Sequence, residues 1–211
     1  MLMVGVVASA LVLAGGSVGA QTQGGDEGNA ETLPPISGDP VEIGRAPERE
    51  ITREDELDAL FGLLADRENQ NWEAVQAQIY NIWNHSGSAS MDLLARRADK
   101  AMEAEDFDTA LVHLNDLTRL APDFAEGWNK RATVYFLQGD YGRSLDDIAR
   151  TLRLEPRHFG ALSGLGIILD RIGDSRGALE AYRRADRLHP NLPGVDEGIK
   201  KLTPEVDGQR L

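Results

Sequence analysis

No cysteine occurs anywhere in the 211 residues. Its absence removes structural disulfides, thiolate zinc sites, iron–sulfur clusters, thiol nucleophiles and a lipid-modified N-terminal cysteine. Cations are outnumbered, 22 Lys and Arg against 35 Asp and Glu, for a net charge of −13. Phosphate backbones and anionic bilayer surfaces repel such a chain, so nucleic acid is not an expected partner. Histidine is scarce as well: His85, His113, His158 and His189 are the whole set, and none pairs with another at helical ligand spacing. No metal site follows from them. Gly160, Gly164 and Gly166 resemble a phosphate loop, but no strand pattern precedes them and no Lys-Ser/Thr follows. The carboxylate runs, Asp146-Asp147 and Glu103 with Glu105, read as solvated helix faces or caps. No catalytic residue, metal, cofactor or small-molecule substrate is expected, and the chain does not read as an enzyme.

What is present begins with an address. Met1 to Ala20 carries no charge, is apolar to Ala14 and then turns to small residues, with Val18 and Ala20 at the two small positions of a cleavage site. This is the form of a signal peptide (1–20), with a mature chain starting at Gln21 and export to the periplasm of a Gram-negative host. The alternative is an uncleaved anchor, since 20 uncharged residues just span a bilayer. Residues 21–52 read as a disordered acidic linker, and the stretch 21–56 sets ten acids against three arginines. A segment so poor in apolar residues cannot offset the entropy of ordering.

The remainder repeats itself every 34 residues. Pro122, Pro156 and Pro190 recur at that period, as do Asp106, Asp140 and Asp174; Leu111, Leu145 and Leu179; Arg119, Arg153 and Arg187; and Leu120, Leu154 and Leu188. Leu94, Trp128 and Leu162 keep a large residue in register, whereas Ala98, Ala132 and Gly166 keep a small one. In the middle unit Trp128, Arg131, Ala132 and Tyr135 share one helical face. Gly139-Asp140 breaks that helix and caps the next, Leu145, Ile148 and Leu152 point inward, and Pro156 ends the pair. One helical hairpin leaves a face wet, so the units must stack.

At these positions the chain resembles the tetratricopeptide repeat family. The unit 159–192 supplies its pattern with Leu162, Leu165, Gly166, Leu169, Gly173, Ala178, Tyr182, Ala185 and Pro190. The unit 125–158 keeps Trp128, Ala132, Tyr135, Gly139 and Pro156 but departs with Arg131, Ser144 and Thr151. The unit 91–124 is looser, with Arg97, Ala101 and Glu105 in place of the usual Leu, Tyr and Gly. The resemblance implies an all-α fold, a right-handed solenoid of antiparallel helical hairpins.

Upstream, Leu57, Leu60, Phe61 and Leu64 form one stripe and Trp72, Val75, Ile79, Ile82 and Trp83 another. They predict a further hairpin at 53–88, a degenerate repeat or N-terminal cap, with Thr52 and Asn71 capping its helices. A C-terminal capping helix is predicted within 193–203, followed by a disordered tail at 204–211.

The resemblance also implies recognition through a concave groove lined by the first helix of each unit. Carried over by position, the groove residues are Asp92, Ala95, Asp99, Met102 and Glu103; Glu126, Asn129, Thr133, Phe136 and Leu137; and Gly160, Ser163, Ile167, Asp170 and Arg171. Such a groove is acidic at one end and partly apolar beyond, suited to a partner protein's basic and apolar peptide segment. If Asp99 and Glu126 face solvent there, reversing both charges should lower the melting temperature by no more than a few degrees. The family's clamp for a free C-terminal carboxylate is missing, because its positions hold Ala95, Asp99, Lys130, Gly160 and Gly164. The expected function is a non-catalytic scaffold or adaptor. A membrane-anchored assembly factor and an accessory domain to an enzyme are the alternatives.

Overall fold

The computed structural model describes residues 51–208. The run at 1–20, the linker up to residue 50 and the tail from residue 209 lie outside the described residues. Nine helices and no strand form among those described: α1 (Arg53–Leu64), α2 (Trp72–Trp83), α3 (Ala89–Glu103), α4 (Phe107–Leu120), α5 (Ala125–Leu137), α6 (Tyr141–Leu154), α7 (Phe159–Arg171), α8 (Ser175–Leu188) and α9 (Val195–Gly208).

Local chemistry sets where the repeats start and stop. Asp106, Asp140 and Asp174 each accept a hydrogen bond from the backbone N–H three residues on, at 3.1, 3.0 and 2.9 Å, which caps α4, α6 and α8. Just ahead of two of these caps the chain passes through the left-handed region at Gly139 (φ 78°) and Gly173 (φ 86°). In the first repeat Glu105 takes the same turn at φ 56°, without glycine's freedom. Each second helix ends two residues before a proline, and the intervening Ala121, Glu155 and His189 have left the helical region, which the ring that follows them disfavours.

Small residues let paired helices approach. Ala98 and Ala132 are buried at their crossings, and a Cβ on Gly166 would lie 2.7 Å from the Tyr182 ring. Helices α3–α4, α5–α6 and α7–α8 form three hairpins, and α4 lies against α5 and α6 against α7, which places them in sequence order. The departures of the middle unit turn out to be a polar seam. Arg131 makes a two-pronged bond to Asp147 at 2.7 and 2.9 Å, and also donates to Asn115 and Thr118 of α4. The Ser144 hydroxyl donates to the Ala132 carbonyl at 2.8 Å, and Thr151 to that of Asp147 at 3.0 Å.

Helix α9 covers the far side of α8, burying Val195, Leu202 and Val206 with Tyr182. It runs to Gly208, past the boundary expected at 203, and carries Pro204 inside it. The proline removes one backbone donor, but buried Val206 beyond it keeps the last turn docked.

Helices α1 and α2 form the N-terminal hairpin, with Thr52 and Asp55 in a reciprocal capping box. Asn71 makes no side-chain cap bond. Asn69 holds the turn that leads into α2, its Oδ1 accepting from the Asn71 N–H at 2.9 Å. The position of the hairpin is the larger difference. A terminal repeat or cap would pack on α3, yet no residue of α1 or α2 belongs to the α3–α4 core. The aromatic faces of α1 and α2 instead share a core with Phe159 at the start of α7, Leu188 at the end of α8 and Leu192 beyond it. Ion pairs from Arg157 to Glu54 and Asp58, and from Arg67 to Asp186, fasten the rim. The two surfaces differ in kind: α3 presents Arg96 and Arg97 to solvent, whereas the start of α7 offers the buried Phe159 ring to Phe61 and Trp83.

Candidate binding cleft

Between α5 and α7 lies a cleft of about 240 Å³. Its walls include Ala132, Phe136 and Ile148 on one side and Ile167, Ile168 and Leu192 on the other. Gly160, Ala161, Ser163 and Gly164 leave its α7 side low, with Asn129 and Thr133 as polar points on α5. Ile167 is 36% exposed at its edge. Of the three α7 glycines that imitate a phosphate loop in sequence, Gly160 and Gly164 border the cleft, whereas Gly166 packs against Tyr182.

Six of the fifteen expected groove residues converge here: Asn129, Thr133, Phe136, Gly160, Ser163 and Ile167. The other nine are elsewhere. Ala95 is buried in the α3–α4 core, and Met102 packs against it. Asp92 accepts from the Ser86 N–H and hydroxyl at 2.8 and 2.6 Å, bonds that hold its carboxyl below the ordinary carboxylate value. Glu103 and Leu137 are exposed, away from the cleft lining. Asp170 pairs with Lys201 of α9. Arg171 donates to the Tyr141 hydroxyl at 3.0 Å and lies over the Phe136 ring, bracing the cleft wall from behind.

The acidic end of the groove is neutralised from within. Lys130 Nζ donates to Asp99 at 2.8 Å and stands 3.7 Å from Glu126. Glu126 is 5% exposed; it accepts from His158 Nε2 at 2.9 Å and from Asn129 at 3.3 Å. Burial works to raise the Glu126 pKa, but the His158 hydrogen bond and the Lys130 charge outweigh it and hold the group below its usual value. Burial likewise pulls Lys130 down, and Glu126 with Asp99 more than reverse it. These charges face one another, not a visitor, and the accessible part of the groove is apolar.

Several cleft residues escape position-by-position reading: Ala132, Ser144, Ile148, Ala161, Gly164, Ile168 and Leu192. Only Ala161 and Gly164 carry a sequence signal, the run of small residues at 160, 161, 163 and 164. Among the described residues no cluster of three or more His, Asp or Glu is arranged to hold a metal ion.

A family profile described as tetratricopeptide repeat matches residues 96–150 and 138–193. A TPR repeat-containing protein of Rhizobium etli is 39% identical over 155 residues, covering 73% of this chain and 76% of that protein. Among solved structures, the Sgt2 TPR domain from Aspergillus fumigatus superposes with a TM-score of 0.53 at 20% identity, over 58% of this chain and 83% of that one. The TPR2B domain of yeast Sti1, solved in complex with pHsp70, gives 0.51 at 16% identity, over 56% and 99%. The first TPR of Spaghetti, bound to an HSP90 peptide, gives 0.53 at 18% identity, over 56% and 93%.

Proposed function

The chain belongs to the tetratricopeptide repeat family, and from that membership we propose that it is a non-catalytic interaction scaffold which takes a segment of a partner protein into the α5–α7 cleft. The observation that carries this reading is the open apolar cleft between consecutive first helices, bordered by residues too small to fill it. An apolar side chain entering it gains roughly 1.5–3 kcal/mol by leaving water, and Asn129, Thr133 and Ser163 offer polar partners to the backbone of the same segment.

The fold is shared with domains bound to HSP90 and Hsp70 partners, but the anchoring differs. Here the family's carboxylate-clamp positions hold Ala95, Asp99, Lys130, Gly160 and Gly164, and the one cation among them is engaged by Asp99 and Glu126. Apolar insertion therefore replaces capture of a C-terminal carboxylate. Residues 1–20, read as a cleavable signal, support an exported, periplasmic location.

A photo-crosslinking residue placed at Ser163 or Thr133 in the native host tests the proposal, with Asp146 on the outer face of α6 as the control. Capture of a defined partner from the first two positions and not from the third is expected. Ile167→Glu, which sets a charge at the cleft edge without disturbing a buried contact, should reduce that capture at least tenfold. Equal crosslinking from both faces, or indifference to Ile167→Glu, would overturn it.

A further inference from the structure

One face of α2 carries Trp72, Gln76, Tyr80 and Trp83, and each meets a residue of the turns before α7 and after α8. Trp72 lies 5.2 Å from the His189 ring, and Gln76 Oε1 accepts from His189 Nε2 at 2.8 Å. Tyr80 packs edge-on to Phe159 at 5.3 Å, and its hydroxyl lies 2.8 Å from where a Gly160 Cβ would be. Trp83 stacks on His158 at 4.3 Å with the rings 14° from parallel. The docked surface is continuous with the cleft, because Gly160 and Leu192 belong to both.

The fit is close but not completed. Two buried side-chain polar atoms among the described residues lack any hydrogen-bond partner, Trp83 Nε1 and His189 Nδ1, and both lie in this one interface. Native interiors leave few such groups, and each carries a penalty that solvent would relieve. His189 is fully buried, with its Nε2 proton donated to Gln76 and its Nδ1 facing no donor. A second proton on that ring would be a buried cation with a donor aimed at nothing.

We propose that the edge formed by His158, Phe159, Gly160, His189 and Leu192 is a docking surface whose resident ligand is the chain's own α2, and that the α1–α2 hairpin is a clasp released by protonation of His189. The proposal goes beyond the scaffold reading and needs no partner in the cleft.

The groups around the two histidines set the direction of the response. His189 faces Trp72 and Gln76 from α2 and Phe159 from α7, none of them charged. Nearby, Asp186 is taken by Arg67 at the exposed rim. His158 faces Tyr80 and Trp83 from α2 and Glu126 from α5, behind which stand Lys130 and Asp99. Its Nδ1 accepts from the Ala161 N–H at 3.1 Å, capping α7. Beside it Arg157 is paired with Glu54, Asp58 and Glu155.

Burial lowers the His189 pKa to about 4 from an ordinary 6.5. The released hairpin thus binds the proton more tightly than the docked one. Docking is at full strength above the ordinary value and weakens as pH falls through the interval toward 4, by roughly 30-fold at pH 5 relative to pH 7.5.

Hydrogen–deuterium exchange on the full chain at pH 7.5 and 5.0, corrected for intrinsic rates, tests this. Exchange across 53–83 should accelerate about 30-fold, while α5 to α8 stay protected. His189→Gln should abolish the acceleration. Gln76→Glu gives an independent arm, because a carboxylate against the ring stabilises its cation and should keep the hairpin docked at pH 5.0. The proposal fails if 53–83 does not respond to pH, if the whole stack opens with it, or if Gln76→Glu exchanges as fast as the parent at pH 5.0.

Discussion

Reversing the charge at Glu126 separates a structural carboxylate from a surface one. On the sequence alone Glu126 and Asp99 share the exposed acidic end of a groove, so Glu126→Lys should cost little. In the structure the Glu126 carboxylate is 5% exposed and receives His158, Asn129 and Lys130 at 2.9, 3.3 and 3.7 Å. A lysine there would strand the His158 N–H and place a second ammonium beside Lys130. Removing one member of a buried charged pair costs about 3–5 kcal/mol, which for a body of this size lowers the melting temperature by roughly 6–20 °C. Asp99 is 39% exposed at its side chain, so solvent screens the lost pair with Lys130 and Asp99→Lys should cost clearly less than Glu126→Lys. Urea unfolding of both variants gives the comparison, with midpoints read at unchanged m-value. Glu126→Gln isolates the charge. Because the folded pKa of Glu126 lies below its unfolded value, its contribution is present above the unfolded pKa and lost as pH falls through the folded one. Stability of Glu126→Gln should therefore fall less steeply between neutral and acid pH. If Glu126→Lys stays within 1 kcal/mol of the parent, the buried pair does not exist as described.

Three further outcomes follow from single positions. Glu105→Gly relieves a left-handed residue at φ 56° and should raise stability by about 0.5–1 kcal/mol in denaturant unfolding. Ala132→Leu, 2% exposed at a helix crossing, should cost on the order of 1–3 kcal/mol by overpacking, and a neutral result would mean the hairpin register is wrong. Arg131→Leu restores the residue usual in the family yet leaves Asp147, 4% exposed, without its partner. A loss of about 3 kcal/mol is expected, and the added change Asp147→Asn should recover part of it in a double-mutant cycle.

The helices of the repeats were legible because their signals are local. Asp106, Asp140 and Asp174 cap from three residues away, and Pro122, Pro156 and Pro190 bar continuation through bonds to their neighbours. Small residues at 98, 132 and 166 mark crossings because no larger side chain fits there. The candidate cleft was legible in part. Six of fifteen carried positions line it, while Ala95 and Glu126 turned inward, since a position in a repeat specifies a face of a helix and not what a neighbouring element lays over that face.

What the sequence determined by itself is the periodic part: the aspartates and prolines that bound the second helix of each repeat, which side of each helix is apolar, and that the units must pile on one another. Those follow from hydrogen bonds and ring constraints spanning a few residues, repeated every 34. Only the tertiary structure decided where α1 and α2 go, that His158 and His189 meet Trp83 and Trp72, and that Lys130 stands between Asp99 and Glu126. Apart from Glu126 and Lys130, four residues apart on α5, those pairings join residues about 30 to 120 positions apart, and they are chosen by which surfaces match best in space, a competition that no local pattern encodes.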